Sequence, residues 1–581
     1  RLRPCSPSPP AYSAWAAKMS VGERPPEQPA AVQAAGFTAA ASEPLFARLL
    51  EKYRVPLLAI CLPVSFLYGC YTQARRWLAR ALQRVPATHD ERVRAVAQAL
   101  QARAALPPER RRKIVTDRPI TDQLTTGFFN KADKFRVPTS ALHHILELDT
   151  ERRVLRTEPM VSVEEATNFL VPRGFVLASH LEFGRATLGG LAMAVGMTTH
   201  AHITGLYQET VVSYEVVLAT GEVLRVMQDG PHADLFRALP WSHGTLCVLV
   251  SLELQVIPAK RYIRLQYIPV SGQEALMREI RERCGALDPE AEVPEFCEAT
   301  LFAKDRGVLT IGHFDNGRGP GDSAKVNALA RWYKPWWYKH VEGYAQGGKP
   351  GEELVPVWDY ILRHTRSIFW VIELMVPYGN HPLFRYLFGW LLPLDVTFMK
   401  LTTTEGVRRL TFMKQVFQDI TLPMTDMEEA VNLAAECFDV WPLLIYPCKE
   451  FDHGPIAGQL RPPRPEQLCP GSRYPQWGMF FDLGLYGAPG YLLREEPYNP
   501  SNAFRRFIDF VKRVGGHPFL YADQFFTEEE FEEFFDLALW RKCRAKYHAD
   551  GNFPTLWEKV RPEVDILKIG DVTLFENKKH A

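Results

Sequence analysis

The spacing of apolar and polar residues predicts an alternation of short helices and strands after residue 85. Residues 91–105 carry apolar positions at helical spacing and end before Pro107, so they predict a helix. Runs at 214–219 and 222–227 flank Thr220-Gly221, which predicts a hairpin. The mostly apolar run 246–257 predicts a buried strand. Together these short elements indicate an α+β domain.

Helical patterns return near the C-terminus, at 528–547 and 556–560. We expect residues 501–581 to form a helical region that packs back on the α+β domain described above. The first 43 residues show no such pattern and are rich in Ala, Pro and Ser, so we expect residues 1–43 to be disordered.

One segment differs from all others, because residues 55–74 carry no charge over 20 positions. As a helix it is roughly 30 Å long, about the thickness of a bilayer's hydrocarbon core. Arg54 bounds one end and Arg75 and Arg76 the other. The alternatives are a buried core helix and a cleaved signal peptide, and the second fits poorly because no A-x-A site precedes the arginines. Residues 44–76 are therefore interpreted as a single membrane anchor, and the arginines place the C-terminal bulk on the cytosolic side.

Composition excludes several classes of function. With 68 basic and 67 acidic residues the net charge is +1, so no field attracts nucleic acid. The 10 cysteines are scattered and form no C-x-x-C pair, which argues against a metal site and for a reduced environment. The chain has 581 residues with 46% hydrophobic positions, enough for two or more domains.

The candidate chemistry centres on residues 187–200, which read TLGGLAMAVGMTTH. Large side chains are nearly absent here, so backbone N–H groups can approach a ligand closely, as a phosphate or pyrophosphate requires. A tightly packed bend in a buried sheet explains the same glycines equally well. The spacing of Gly189, Gly190 and Gly196 does not match the dinucleotide fingerprint.

Longer blocks carry a resemblance that the glycines alone do not. The glycine segment, together with GLYQETV, YEVVLATG and DLFRALPWSHGTL, resembles the flavin domain of the delta-24 sterol reductases (the 24-dehydrocholesterol reductase family). The similarity extends through YKPWWYKHVEGY (333–344), HTRSIFW (364–370), FDLGLYG (481–487) and LYADQFF (520–526). It covers nearly everything after residue 76, and the VGMTTH wording is closer to the plant-type branch.

The resemblance implies an α+β fold with a two-subdomain FAD-binding domain of the vanillyl-alcohol-oxidase type. It assigns residues 85–260 to that domain and 261–500 to an α+β cap that binds substrate, preceded by the one transmembrane helix. The implied activity is that of an FAD-dependent sterol side-chain reductase in the endoplasmic reticulum membrane. It reduces a delta-24 or delta-24(28) double bond with electrons from NADPH.

The resemblance also implies which residues bind FAD. Two further loops join the glycine segment, and the residues concerned are Arg118, Pro119, Thr187, Leu188, Gly189, Gly190, Leu191, Ala192, Met193, Ala194, Val195, Gly196, Met197, Thr198, Thr199, Gly244 and Thr245. Ile120 stands where relatives often have glycine, which puts backbone contacts in that loop in doubt. The loop contains no histidine, the residue that attaches flavin covalently in some relatives, so we expect non-covalent FAD.

The catalytic acid is open among three residues in or beside the family-like blocks: Glu373, Asp482 and Tyr521. Each can equally be a structural hydrogen-bonding residue. Glu373 and Tyr521 are favoured because each has apolar and aromatic neighbours in sequence, which can hold a proton near neutral pH.

Two other functions compete with sterol reduction. One is an aldonolactone-type flavin oxidase, although the His-Trp pair typical of those enzymes is absent. The other is a sterol-binding membrane protein without catalysis, against which the intact glycine segment argues.

Overall fold

The computed structural model describes residues 54–82, 88–127, 129–402, 413–454 and 458–561. The expected disordered segment 1–43 therefore lies outside the described residues, as does the end of the C-terminal region.

The helices and strands are numbered separately in chain order. The helices are α1 Arg54–Leu82, α2 His89–Ala104, α3 Val163–Leu170, α4 Leu188–Met193, α5 Ala201–Thr204, α6 Ala233–Ala238, α7 Gln273–Arg283, α8 Trp337–Gly347, α9 Val357–Ile361, α10 Ile372–Met375, α11 Pro382–Phe388, α12 Val396–Thr402, α13 Met427–Cys437, α14 Gly490–Leu493, α15 Pro500–Val514, α16 Glu528–Phe534, α17 Ala538–Lys546 and α18 Leu556–Val560. The strands are β1 Ile114–Thr116, β2 Phe135–Val137, β3 Ile145–Asp149, β4 Val154–Thr157, β5 Phe175–Leu177, β6 Val211–Val217, β7 Val223–Met227, β8 Val248–Pro258, β9 Tyr262–Ser271, β10 Phe296–Ala303, β11 Arg306–Asp315, β12 Gly351–Pro356, β13 Val416–Pro423, β14 Leu443–Asp452, β15 Gln476–Gly487 and β16 His517–Pro518.

The first large sheet is antiparallel and contains the predicted hairpin. Its order is β3-β4-β8-β6-β7, with β5 also paired to β8. The apolar run that predicted a buried strand forms β8, which pairs with neighbours on both of its edges. A small parallel pair, β1 and β2, precedes this sheet.

The second sheet has eight antiparallel strands in the order β12-β9-β11-β10-β14-β15-β13-β16. The chain passes to it between Pro258 and Tyr262. Ten consecutive residues of β15, from Trp477 to Tyr486, are buried, because the strand is covered on both faces. The predicted mixture of helix and strand is thus confirmed as two sheets with helices around them.

The expected C-terminal organisation needs two corrections. Strand β16 pairs with β13, so the eight-stranded sheet continues beyond residue 500. The helix predicted over 528–547 is two helices, α16 and α17, separated by residues 535–537. The C-terminal region contacts the first sheet's side at several points: Trp241 packs edge to face on His517, and Trp540 Nε1 donates a hydrogen bond to Thr245 Oγ1 at 3.0 Å.

Helix α1 is longer than the predicted 55–74. Its segment Pro56–Arg75 is long and apolar enough to cross a membrane, with a mean hydropathy of 1.4 and only 11% of the residues in its most apolar window buried. One face packs on the segment before α12, and Ser65 and Leu62 of that face are buried.

Candidate active site

A cavity of about 1590 Å³ lies where the two sheets face each other. Val248 and Leu249 of β8 line it from the first sheet, and Phe417 and Asp482 line it from the second. Pockets for one drug-sized ligand are usually about 300–1,000 Å³. This cavity therefore has room for two ligands side by side.

The glycine segment forms one wall of the cavity. Its members on the wall are Thr187, Gly189, Gly190, Leu191, Met193, Ala194, Val195, Gly196 and Met197. Leu188, Ala192, Thr198 and Thr199 are fully buried behind that wall. These four support the segment rather than face a ligand; Thr199, for example, accepts a hydrogen bond from the Tyr360 hydroxyl at 3.1 Å.

Glycine is needed at the three positions for different reasons. A Cβ on Gly189 would lie 2.3 Å from Cβ of Pro159, and a Cβ on Gly196 would lie 3.1 Å from Cδ2 of Leu191. Gly190 is exposed to the cavity, and a Cβ on it would lie 2.8 Å from the Thr187 hydroxyl and 4.0 Å from an Arg118 nitrogen, with no backbone in the way. Packing thus explains Gly189 and Gly196, whereas Gly190 leaves space for a ligand.

The first loop places Arg118 beside this wall. Its guanidinium donates to Thr187 Oγ1 at 2.7 Å and to the Asp122 carbonyl oxygen at 2.7 Å. Pro119 is exposed and begins the turn at Ile120 instead of facing the cavity. The cation is therefore held where an anionic group in the cavity could meet it.

The second loop is bonded directly to the glycine segment. His243 N–H donates to the Met193 carbonyl at 2.7 Å, and Trp241 N–H donates to the Ala194 carbonyl at 3.2 Å. Gly244 has a φ of 68° and lines the cavity, a conformation that suits glycine. Thr245 is buried behind it.

Two lysines that the sequence analysis missed line the same end of the cavity. Lys131 donates to the Arg118 carbonyl at 2.8 Å, and Lys559 donates to the His243 carbonyl at 2.9 Å. In the described part of the chain, neither ammonium has a carboxylate within 4.0 Å. Burial lowers the pKa of Lys131 to about 7 and that of Lys559 to about 8.

The charges of Lys131 and Lys559 bear on whether the residues that line the cavity fit FAD. An ammonium held in a low-dielectric site without a counter-ion favours binding of an anion. A pyrophosphate beside Gly190 would supply that charge, and Arg118 would add a third cation. The residues therefore fit an FAD molecule whose pyrophosphate lies at this end of the cavity.

The second sheet brings a cluster of acids and tyrosines to the cavity: Asp419 from β13, Asp482 and Tyr486 from β15, and Tyr521 from the segment after β16. Asp419 accepts hydrogen bonds from the Tyr486 hydroxyl and, at 2.5 Å, from the Tyr521 hydroxyl. Asp482 pairs with Thr421 across the strands and is 3% exposed. All four side chains line the cavity.

Burial changes the protonation of both acids. It raises the pKa of Asp419 to about 6, an effect that the two tyrosine hydrogen bonds oppose. The pKa of Asp482 rises well above the ordinary value because of burial and the neighbouring charge of Asp419. Among the described groups, Asp482 Oδ1 has no hydrogen-bond partner. Burial and the charge of Asp419 therefore favour the protonated form of Asp482, whose Oδ1 is available to a ligand.

A second cluster of polar residues, centred on Arg363, also reaches the cavity. Arg363 is buried and donates to Glu298 at 2.8 Å, to the Tyr446 hydroxyl at 2.9 Å and to Glu182 at 3.2 Å. Burial raises the pKa of Glu182 to about 7. Glu182 and Tyr446 line the cavity, so its polar wall contains both acids and hydroxyl donors.

The structure places Glu373 elsewhere. Its carboxylate is 41% exposed and forms an ion pair with Lys339 at 2.9 Å, and the residue is not part of the cavity lining. The expectation that apolar neighbours in sequence shield it is wrong, because α10 buries Ile372 and turns the next residue outward. Of the three candidates, the structure brings Asp482 and Tyr521 together.

Comparison with known proteins agrees with this geometry. Residues 124–227 match the family model of an FAD binding domain. The human Delta(24)-sterol reductase is 34% identical over 516 residues, which are 88% of this chain and 94% of that protein. The Arabidopsis thaliana Delta(24)-sterol reductase is 32% identical over 527 residues, 88% of this chain and 92% of that protein. A more distant match, the L-gulonolactone oxidase of Scyliorhinus torazame, is 21% identical over 407 residues, 69% of this chain and 79% of that protein.

The fold and the site define a flavin-dependent oxidoreductase with an FAD-binding domain. The chain belongs to the Delta(24)-sterol reductase family, as its sequence blocks indicate. The identities to the human and plant relatives are nearly equal, so they do not test the predicted plant-type branch.

Proposed function

We propose that the protein reduces the delta-24 or delta-24(28) double bond of a sterol side chain with electrons from NADPH. The observation that carries this proposal is one cavity lined both by the glycine segment and by a buried acid, Asp482, whose pKa is raised by burial. The volume beyond the cofactor is lined by apolar groups, among them Phe183, Phe369 and Met375. A flat apolar substrate suits such a lining.

The chemistry explains why an acid is needed. An isolated alkene has no carbonyl that would make it electrophilic, so hydride alone does not add to it. In a delta-24 alkene, protonation at carbon 24 places positive charge on the more substituted carbon 25, which then accepts hydride; in a delta-24(28) alkene the proton goes to carbon 28 and carbon 24 accepts hydride. When bound, reduced FAD supplies that hydride, and NADPH replenishes it.

Asp482 is the proposed donor of the proton to carbon 24. Its Oδ1 lacks a partner among the described groups and its side chain faces the cavity. The Tyr521 hydroxyl is bonded to Asp419, so Tyr521 is assigned a positioning role. Asp419 keeps the proton on Asp482, because two adjacent carboxylates do not both ionise easily.

The cofactors and the location complete the proposal. FAD is held without a covalent bond, since residues 117–127 of the first loop contain no histidine. NADPH would supply the electrons that reduce the bound FAD. The enzyme acts at the endoplasmic reticulum membrane, attached through α1, with its catalytic part on the cytosolic side.

The test is to incubate membranes that contain the protein with NADPH and either desmosterol or 24-methylenecholesterol. Products are identified by mass, and a gain of two hydrogens in the side chain is expected for at least one substrate. A protein that retains flavin absorbance and binds the sterol but yields no product would contradict the proposal and favour the non-catalytic alternative.

A further inference from the structure

The face of α1 that points away from the protein is apolar. Ile60, Val64, Leu67 and Tyr71 follow one another at helical spacing, and each is between 44% and 64% exposed. A soluble protein rarely leaves such a continuous stripe uncovered.

A second apolar surface adjoins this stripe. Helix α11 has no buried residue, and Leu383, Leu387 and Phe388 are 63%, 53% and 48% exposed. Arg385, its basic residue, turns inward and donates to the Tyr333 and Asn380 carbonyls. The outer face of α11 is thus left without that charge.

The two surfaces are joined by direct contact. Phe66 of α1 meets Trp390 edge to face with ring centroids 5.2 Å apart, and Trp390 itself is 48% exposed. We define the docking surface as the outward face of α1 together with Leu383, Leu387, Phe388 and Trp390. Tryptophan is enriched at the boundary between lipid and water.

The opposite face of α1 decides how the helix can meet a bilayer. Ser65, midway along the apolar segment Pro56–Arg75, is buried and accepts a hydrogen bond from Asp395 N–H at 2.9 Å. Asp395 in turn forms an ion pair with Arg185 at 2.8 Å. The middle of the helix is therefore fixed to a charged part of the catalytic body.

A helix packed in this way cannot cross the bilayer along its normal. Its centre would carry Asp395, Arg185 and irregular backbone to the middle of the hydrocarbon, where charged groups and unpaired backbone groups are strongly disfavoured. An amphipathic helix can instead lie along the interface, with its apolar face about 5–10 Å deep. We infer that the docking surface enters one leaflet, with α1 parallel to the membrane and both its ends on the same side.

The position of the cavity supports lipid as the partner. Pro393, Leu394, Val396 and Met399 line the cavity, while Asp395 of the same segment contacts α1. One segment thus separates the docking surface from the cavity. This link rests on the proposed function, since a water-insoluble sterol dissolved in the leaflet would reach the cavity past that segment.

The first test determines on which side the two ends of α1 lie. The full chain carries one epitope at the N-terminus and another at the C-terminus, and sealed microsomes are treated with protease. Both epitopes should be digested together in intact vesicles. Protection of the N-terminal epitope while the C-terminal one is digested would show that α1 crosses the membrane and would overturn the inference.

The second test measures insertion of the α11 side of the surface. Tryptophan fluorescence is recorded in phosphatidylcholine vesicles with brominated acyl chains. Trp390→Phe should lower the quenched fraction, whereas Trp477→Phe, which changes a buried ring on β15, should leave it unchanged. Equal quenching in both variants would mean that Trp390 does not reach the lipid, and would overturn the inference.

A third measurement separates docking from catalysis. The double variant Leu383→Glu/Leu387→Glu should reduce sterol embedded in vesicles about tenfold more slowly, and sterol in detergent at the normal rate. Leu493→Glu is the control, because Leu493 is 70% exposed on α14, outside the docking surface. Equal rates for the double variant and the control in vesicles would contradict the inference. Absence of reduction in every condition, with docking intact by the first two tests, would instead contradict the proposed function alone.

Discussion

Replacing Asp482 by Asn tests the proposed proton donor most directly. The two side chains have nearly the same shape, and Asn introduces no buried charge, so flavin binding should persist. A positioned general acid contributes about 10²–10⁴ in rate. Asp482 is 3% exposed, so water has little access to take its place. The rate should therefore fall towards the upper limit, about 10³–10⁴, which corresponds to about 4–5.5 kcal/mol of barrier.

The assay measures product by mass under single-turnover conditions, with bound flavin quantified by absorbance. Glu373→Gln is the matched control, because it removes a carboxylate that is exposed and paired with Lys339. Its rate should stay within about twofold of the wild type, as is usual for a surface change.

The pH dependence gives a second readout. The donor must hold its proton, so the wild-type rate falls as pH rises through the higher of the two apparent pKa values of the Asp419–Asp482 pair. Asp482→Asn should lose that alkaline limb. A variant within tenfold of wild type that keeps the limb would refute the assignment, and a large loss in Glu373→Gln would restore the rejected candidate.

Three further outcomes are expected. Gly190→Val should lose FAD on purification while folding normally. Gly189→Ala should keep FAD but lower the thermal midpoint, because its Cβ would overlap Pro159. Flavin absorbance and thermal melts distinguish the two variants, and FAD retained by Gly190→Val would contradict the site. Burial raises the pKa of Glu450 to about 8, so the folded state binds its proton more tightly and stability is lost as pH rises from about 4 towards 8. Melts between pH 6.5 and 8.5 should show a steeper fall for wild type than for Glu450→Gln, and parallel curves would contradict this. Turnover of desmosterol in deuterated water with ordinary NADPH should place deuterium at carbon 24, and label at carbon 25 alone would reverse the proposed polarity.

The sequence pattern predicts those elements that depend only on interactions between residues close together in the chain. The hairpin forms as expected, with Val217 opposite Val223, because alternation and Thr220-Gly221 act within a few residues. The glycine segment was also predicted as a cofactor wall, and it lines the cavity. Which glycine faces the ligand could not be predicted, since that depends on the contact of Gly189 with Pro159, which only the fold brings together.

The missed residues illustrate the same limit. Lys131 and Lys559 are 428 positions apart in the sequence, and only the fold brings both to one end of the cavity. The sequence does contain a signal for Asp419: a carboxylate inside the apolar strand β13 needs hydrogen-bond or charge partners where it is buried. Glu373 was misassigned because apolar neighbours in a helix do not determine which way one side chain points.

The protonation of Asp482 and the entry of sterol from the membrane are linked, because both depend on keeping water out of the cavity. The acid keeps its proton because burial and Asp419 disfavour its charge, so a cavity that admitted water freely would lower its pKa and weaken proton transfer. A substrate that entered through water would need an opening wide enough for a sterol, and water would follow. Entry from a leaflet past residues 393–399 replaces that opening with contact to lipid, which carries no water to the acid. If the docking variant Leu383→Glu/Leu387→Glu opens the site to water, its alkaline limb in vesicles should move to lower pH than in wild type. An unshifted limb would mean that the membrane delivers substrate without helping to keep the acid dry.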